Sequence, residues 1–161
     1  DGTCEVITAS NPSVSGGYTV GGTGTCKVEN GIIKTTSNLT KPSDVVFFLV
    51  EAENAGTISA KLKTVDSSNI HDQYLEPGDE FYVDEDTWVM ASYAILDESN
   101  NIYASDSSAE SANLTLETGD KLNILIRHEW MDRDEAQHAL PGGELSFDYN
   151  MSLGFEQVTV Q

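Results

Sequence analysis

The chain has 161 residues, with 8 basic side chains against 27 acidic ones and a formal charge of −19. That length makes one ordinary domain with a core of its own, and the charge argues against nucleic acid or anionic membrane as a partner, because both would repel it. No apolar run approaches the roughly 20 residues of a membrane span, so a soluble secreted protein, with divalent cations as its natural counter-ions, is the class that fits. The chain begins at Asp1 without Met or a signal segment, so Asp1 is expected to be a processed end.

Residues 1–25 are poor in large apolar groups and rich in Gly, Ser and Thr. Two strand-forming pieces, 4–9 and 18–20, are separated by Asn11-Pro12 and Gly16-Gly17. Gly21-Gly22 and Gly24 then form a flexible link. The stretch reads as an N-terminal arm, with 26–161 as the domain. Short apolar runs at 26–28 and 32–36 flank Asn30-Gly31, the strongest hairpin signal in the chain.

Residues 45–50 form a β-branched and aromatic run, too short for a buried helix and preceded by Pro42 and Asp44. Asn54-Ala55-Gly56 supplies turn chemistry. In the next strand Ile58, Ala60 and Leu62 alternate with Ser59, Lys61 and Lys63, which predicts one buried and one wet face. The two strands with their tight connection are the centre of this reading.

Beyond a polar loop at 66–72, Glu76-Pro77-Gly78-Asp79 is a turn, 81–83 a strand and 88–96 another. In the latter Trp88, Met90, Ser92 and Ala94 are expected to face inward. Residues 102–104 return after a turn, 114–116 follow a polar loop, and Glu117-Thr118-Gly119-Asp120 is an acidic turn. Leu122, Ile124 and Ile126 share one face of a strand at 121–129. Residues 130–140 have helical character, with Asp132 or Asp134 as cap and Pro141-Gly142-Gly143 as stop. In the last strand, 144–156, Leu145, Phe147, Tyr149, Met151, Leu153 and Phe155 alternate with smaller or polar residues. Short strands and frequent turns predict an all-β fold, a jelly-roll-like antiparallel β-sandwich with an extended N-terminal arm. An immunoglobulin-like sandwich fits less well, since both cysteines lie in the first 26 residues.

Three stretches resemble the TasA/camelysin family of secreted bacterial matrix proteins. One is Leu39-Thr40-Lys41-Pro42-Ser43-Asp44, where the family tends to have a leucine followed by Lys-Pro-Gly-Asp. The second is the strand at 47–53 running into Asn54-Ala55-Gly56-Thr57, and the third is the closing strand at 145–157, which ends in Phe and Gln. Ser43 stands where the family usually has Gly, and the cysteine-bearing arm before Cys26 has no counterpart in this resemblance. The resemblance implies a jelly-roll subunit that builds extracellular filaments from copies of itself by giving its N-terminal strand to the next subunit. An arm with strand-forming pieces on a glycine linker suits addition to a neighbour's open edge. From the residue pattern alone, an arm folded back on its own domain is favoured; the resemblance shifts the expectation to donation. Cys4, Val6, Ile7, Val14, Tyr18 and Val20 are the candidate donor residues. The acceptor groove is expected beside the last strand (Leu145, Phe147, Tyr149, Met151, Leu153) or beside the 45–50 run (Val45, Phe47).

Cys4 and Cys26, an even pair in an acidic, Thr/Ser-rich chain, point to an oxidising compartment and a disulfide. A bridge within one chain closes a short loop and contributes about 3 kcal/mol; loop closure puts it first. A bridge to a neighbour's Cys26 would instead link subunits covalently.

Camelysin-like proteins are often described as metallopeptidases. Here His128-Glu129-Trp130-Met131-Asp132 opens like a His-Glu-x-x-His motif but has Asp in place of the second His and lies on a strand. A His128/His138/Asp132 site is weighed against surface polar residues, and the latter is preferred. No catalytic constellation is present, so the chain is not expected to be an enzyme. The acidic turns are better ligand sources: Asp84 with Asp86, and Asp132 with Asp134, make Ca²⁺ the one candidate cofactor. Asn38 and Asn113 lie in Asn-Leu-Thr sequons; Asn150, in a strand, is read as a chance match. The reading from a different class is a monomeric surface module binding calcium or carbohydrate, the latter through Trp88, Tyr93 and Tyr103.

Overall fold

A computed structural model describes residues 2–7, 21–41, 43–68, 89–96, 102–105, 114–130 and 145–158. They form ten strands: β1 (Gly2–Ile7), β2 (Thr23–Glu29), β3 (Ile32–Leu39), β4 (Val45–Glu53), β5 (Ala60–Ser68), β6 (Val89–Leu96), β7 (Ile102–Ser105), β8 (Thr115–Leu116), β9 (Lys121–Trp130) and β10 (Leu145–Gln157). The strands make two five-stranded antiparallel sheets, ordered β1-β4-β9-β6-β7 and β2-β3-β10-β5-β8. Apart from the β2–β3 and β6–β7 pairs, successive strands from β2 onward alternate between the sheets. Among the described residues there is no helix, and none long and apolar enough to cross a membrane.

One core lies between the sheets. Val46, Phe48 and Val50 of β4, Tyr93 and Ile95 of β6, and Leu122, Ile124 and Ile126 of β9 meet Ile33 and Leu39 of β3, Leu62 of β5, and Tyr149 and Met151 of β10. The period-2 pattern of β9 and β10 thus sets the inward faces as alternation requires. The β2–β3 hairpin closes through Asn30 and Gly31, with φ of 53° and 77°. This is the left-handed pair that suits a two-residue hairpin turn.

Several local expectations change. Strands β4 and β5 are not a hairpin: β4 pairs with β1 and β9, whereas β5 pairs with β10 and β8. The connection between them crosses from one sheet to the other. Asn54 shapes it, donating from Nδ2 to the carbonyls of Ile58 and Leu116 while its Oδ1 accepts from the Gly56 N–H. Ile58 lies before β5 and is 46% exposed, not buried. Within β5, Gly154 faces Thr64 but Phe155 faces Leu62, so Lys63 is an extra residue; such a bulge lets Leu62 and Val65, three apart, both pack on the core. In β6 the core residues are Ala91, Tyr93 and Ile95, the opposite phase to that expected. Strand β9 runs through Trp130, which is 1% exposed, and the rest of the expected helix lies outside the described residues.

The loop before β4 is tied from within. Asp44 is buried, and its Oδ2 accepts from the Thr40 N–H at 2.8 Å, the Thr40 hydroxyl at 2.8 Å and the Lys41 N–H at 3.2 Å. Its backbone oxygen accepts from the Trp130 N–H, and the Ser43 N–H donates back to the Trp130 carbonyl. Ser43 sits at φ 72°, a left-handed conformation that disfavours side chains. Ser43→Gly is therefore expected to stabilise the domain by about 1 kcal/mol, read as a raised denaturation midpoint in urea; an unchanged or lowered midpoint would contradict the strain.

Candidate assembly interface

Strand β1 is one edge of its sheet and β2 the matching edge of the other. β1 runs antiparallel to β4, with Cys4 opposite Val50, Val6 opposite Phe48 and Ile7 opposite Phe47. Cys4 and Val6 turn inward, half-buried against the core, while Thr3 and Glu5 are exposed. On β2, alternation turns Gly24, Cys26 and Val28 inward and leaves Thr23, Thr25, Lys27 and Glu29 exposed. A disulfide joins Cys4 to Cys26, with the Cα atoms 5.9 Å apart. It is the intrachain bridge that loop closure favours, and it staples the two sheets along one side.

This slot for β1 is framed by β4 and by the approach of β2. A Cβ on Gly24 would lie 2.8 Å from the Phe48 ring, so only glycine lets β2 come this close over β4. Of the expected acceptor residues, Val45 and Phe47 sit on the opposite face of β4, clustered with Leu49 and Leu125. The groove under β1 is lined instead by their neighbours Phe48 and Val50. Both faces of β4 are buried, which is why the run 45–50 shows no alternation. Beside β10 no open edge exists among the described residues, because it pairs with β3 on one side and β5 on the other. Its Tyr149 and Met151 fill the core, with Phe147 and Leu153 packed against it. The donor candidates Val14, Tyr18 and Val20 lie outside the described residues.

The segment joining β1 to β2 has a geometry of its own. β1 ends with Ile7 opposite Phe47. The chain is next described at Gly21, whose N–H donates to the Val45 carbonyl at 3.0 Å. Both ends therefore lie at the start of β4, less than about 20 Å apart by strand spacing, whereas the residues 8–20 between them could span roughly 45 Å.

A second feature, missed as a site from sequence, ties the sheets together. His128 is fully buried, not a surface residue. Its Nε2 lies 2.9 Å from the Thr35 hydroxyl and its Nδ1 2.7 Å from that of Ser37. Thr35 donates to the Tyr149 carbonyl, so it accepts from Nε2–H, and Nδ1 accepts from Ser37. The Phe48, Phe147 and Tyr149 rings pack around the imidazole. With both nitrogens engaged, His128 is unsuited to bind a metal. The Ser37–His128 pair has a nucleophile–base spacing, but both residues are 0% exposed and out of a substrate's reach. The clue was in the pattern: His128 continues the inward phase of Leu122, Ile124 and Ile126.

Among the described residues no His, Cys, Asp and Glu group could hold a metal; Asp84, Asp86, Asp132 and Asp134 lie outside them. Tyr93 is in the core and unavailable as a sugar platform, and Trp88 lies outside the described residues. Asn38 is exposed on β3, Asn150 is half-buried on β10, and Asn113 is outside the described residues. Comparison with family models, with curated protein sequences and with solved structures found no match.

Burial holds the His128 pKa down from 6.5 to about 3, against the opposing pull of the Asp148 carboxylate. The unfolded chain gains this proton below about pH 6.5 and the folded chain does not until about 3. The contribution to stability is thus complete above 6.5 and is lost as pH falls toward 3, on the order of 5 kcal/mol in all. Unfolding free energies measured from pH 7 to 4 should fall less steeply for His128→Gln than for the native chain. Equal slopes would contradict a neutral buried ring.

Proposed function

We propose that the protein is a structural subunit of an extracellular fibre, built when β1 of one copy occupies the slot beside β4 of the next. The observation that carries this reading is the β1 slot itself. An edge strand fills it, and the 13 residues that follow it could reach more than twice the gap between its end and Gly21. Contacts made within one chain can be made between two identical chains at little cost. The same Cys4, Val6, Phe48 and Val50 packing would then serve between subunits, and the backbone pairing of β1 would add a strand to a neighbour's sheet.

The alternation of strands between two facing sheets supports the jelly-roll form of this reading, and the resemblance around residues 39–57 and 145–157 points to the same kind of assembly. A disulfide-bonded all-β domain of charge −19 suits an oxidising, extracellular setting. Chains so alike in charge repel, so association relies on the apolar slot and on strand pairing.

Removing residues 1–22 takes away the donor and opens the slot. That protein is expected to keep its β-sheet circular dichroism with a lower melting temperature, and to form no fibres by electron microscopy under conditions where the full chain does. Fibres of normal length from the truncated chain would sink the proposal.

A further inference from the structure

We infer that the Cys4–Cys26 bridge is a transferable bond: subunits join covalently by thiol–disulfide exchange, with Cys26 of each subunit bonded to Cys4 of the β1 it receives. This rests on the strand-exchange reading and adds its chemistry. The bridge does not lie within a hairpin. It joins β1 to β2, edge strands of different sheets, and it sits in the slot that exchange would use. A β1 moved to another copy in the same register carries Cys4 to that copy's Cys26. The bond pattern is preserved while its ends come to lie on different chains.

The exchange needs no net oxidant. A subunit with an empty slot presents Cys26 as a thiolate. That thiolate attacks Sγ of Cys4 in the intact bridge of a second subunit, forming the interchain bond as the strand enters. The bond that breaks is the second subunit's own Cys4–Cys26 bridge, and the electron pair leaves on its Cys26 sulfur. One thiolate is consumed and one is produced, so the number of disulfides is unchanged. The released Cys26 lies beside a slot just vacated by its own β1, and is therefore the next attacker. Growth is a chain process, started by a trace of thiol and stopped by alkylation.

The reach is sufficient. Fully extended, residues 8–20 would reach roughly 45 Å, and a domain of this size is about 40 Å across. Both cysteines are half-buried, so attack is slow while β1 stays seated and accompanies its displacement.

The sequence supplies a direct readout. The first basic residue is Lys27, so residues 1–27 hold both cysteines and no earlier tryptic site. Full-length protein is incubated with a trace of Cys4→Ser protein as thiolate source, or with a trace of small-molecule thiol in its place. It is then alkylated, denatured without reductant, digested with trypsin and weighed by mass spectrometry. The expected products are multiples of peptide 1–27 that collapse to one species on reduction, and alkylation before mixing should abolish them. Fibres by electron microscopy whose digest contains only single peptides with both cysteines alkylated would overturn the exchange and leave strand donation standing; fibres whose peptides are all internally bridged would overturn both, because a donated β1 cannot keep Cys4 on its own Cys26. Single peptides with no fibres under any condition would overturn both.

Discussion

The backbone of β4 needs a partner on each side, and much of the structure follows from that. Its side chains are apolar on both faces, so it sits inside its sheet, where an unpaired row of N–H and C=O groups would be costly. β9 supplies one side along its whole length. The other side is left to β1, a short strand of six residues tied on by Cys4 to Cys26. The strand that completes the sheet is thus the part of the fold least bound to it by sequence. Under the proposed strand exchange another copy of the chain would supply it, and completion of the fold and association of subunits would be the same event.

Two buried polar clusters hold the two sheets and the loop before β4 in place. His128 links β9 in one sheet to β3 in the other through two hydroxyls, a contact that fixes how the sheets lie and leaves neither imidazole nitrogen unsatisfied. Asp44 does the same for the loop entering β4, gathering two N–H groups and a hydroxyl onto one carboxylate oxygen. Gly21 packs on Asp44 and Gly24 packs on Phe48, so the chain enters β2 at the mouth of the slot. A buried, neutral imidazole and a buried carboxylate whose Oδ2 takes three hydrogen bonds hold their surroundings in one arrangement.

Much of this was legible in the residues, because alternation is a local signal. The Asn30-Gly31 turn, the inward phase of β10 from Phe147 to Leu153 and the placement of Leu122, Ile124 and Ile126 follow from neighbours in the chain; Phe155, on the same phase, is exposed. His128 lay on the same phase, and was missed because a motif-like string drew attention to its chemistry ahead of its position. Strand partners were less accessible. Whether β4 pairs with β5 or crosses to the other sheet depends on contacts far apart in sequence, and the turn at Asn54 fits either course. The face of β4 was ambiguous for a related reason: in Val45 to Val50 both phases are apolar, so Val45 and Phe47 could not be told from Phe48 and Val50. The phase of β6 inverted for want of a clear alternation between Ala91, Tyr93 and Ile95 and their neighbours.

The most direct test is gel electrophoresis of the native assembled material in SDS, unboiled and boiled, with and without reductant. The account predicts a ladder of subunit multiples in the unboiled lanes, since a strand paired along β4 and buried at Cys4 and Val6 resists detergent until heated. Persistence of the ladder on boiling, and its loss only with reductant, would show the bond at Cys4 to be shared between subunits. A single monomer band in every lane would contradict the account, and would mean that β1 completes only its own domain.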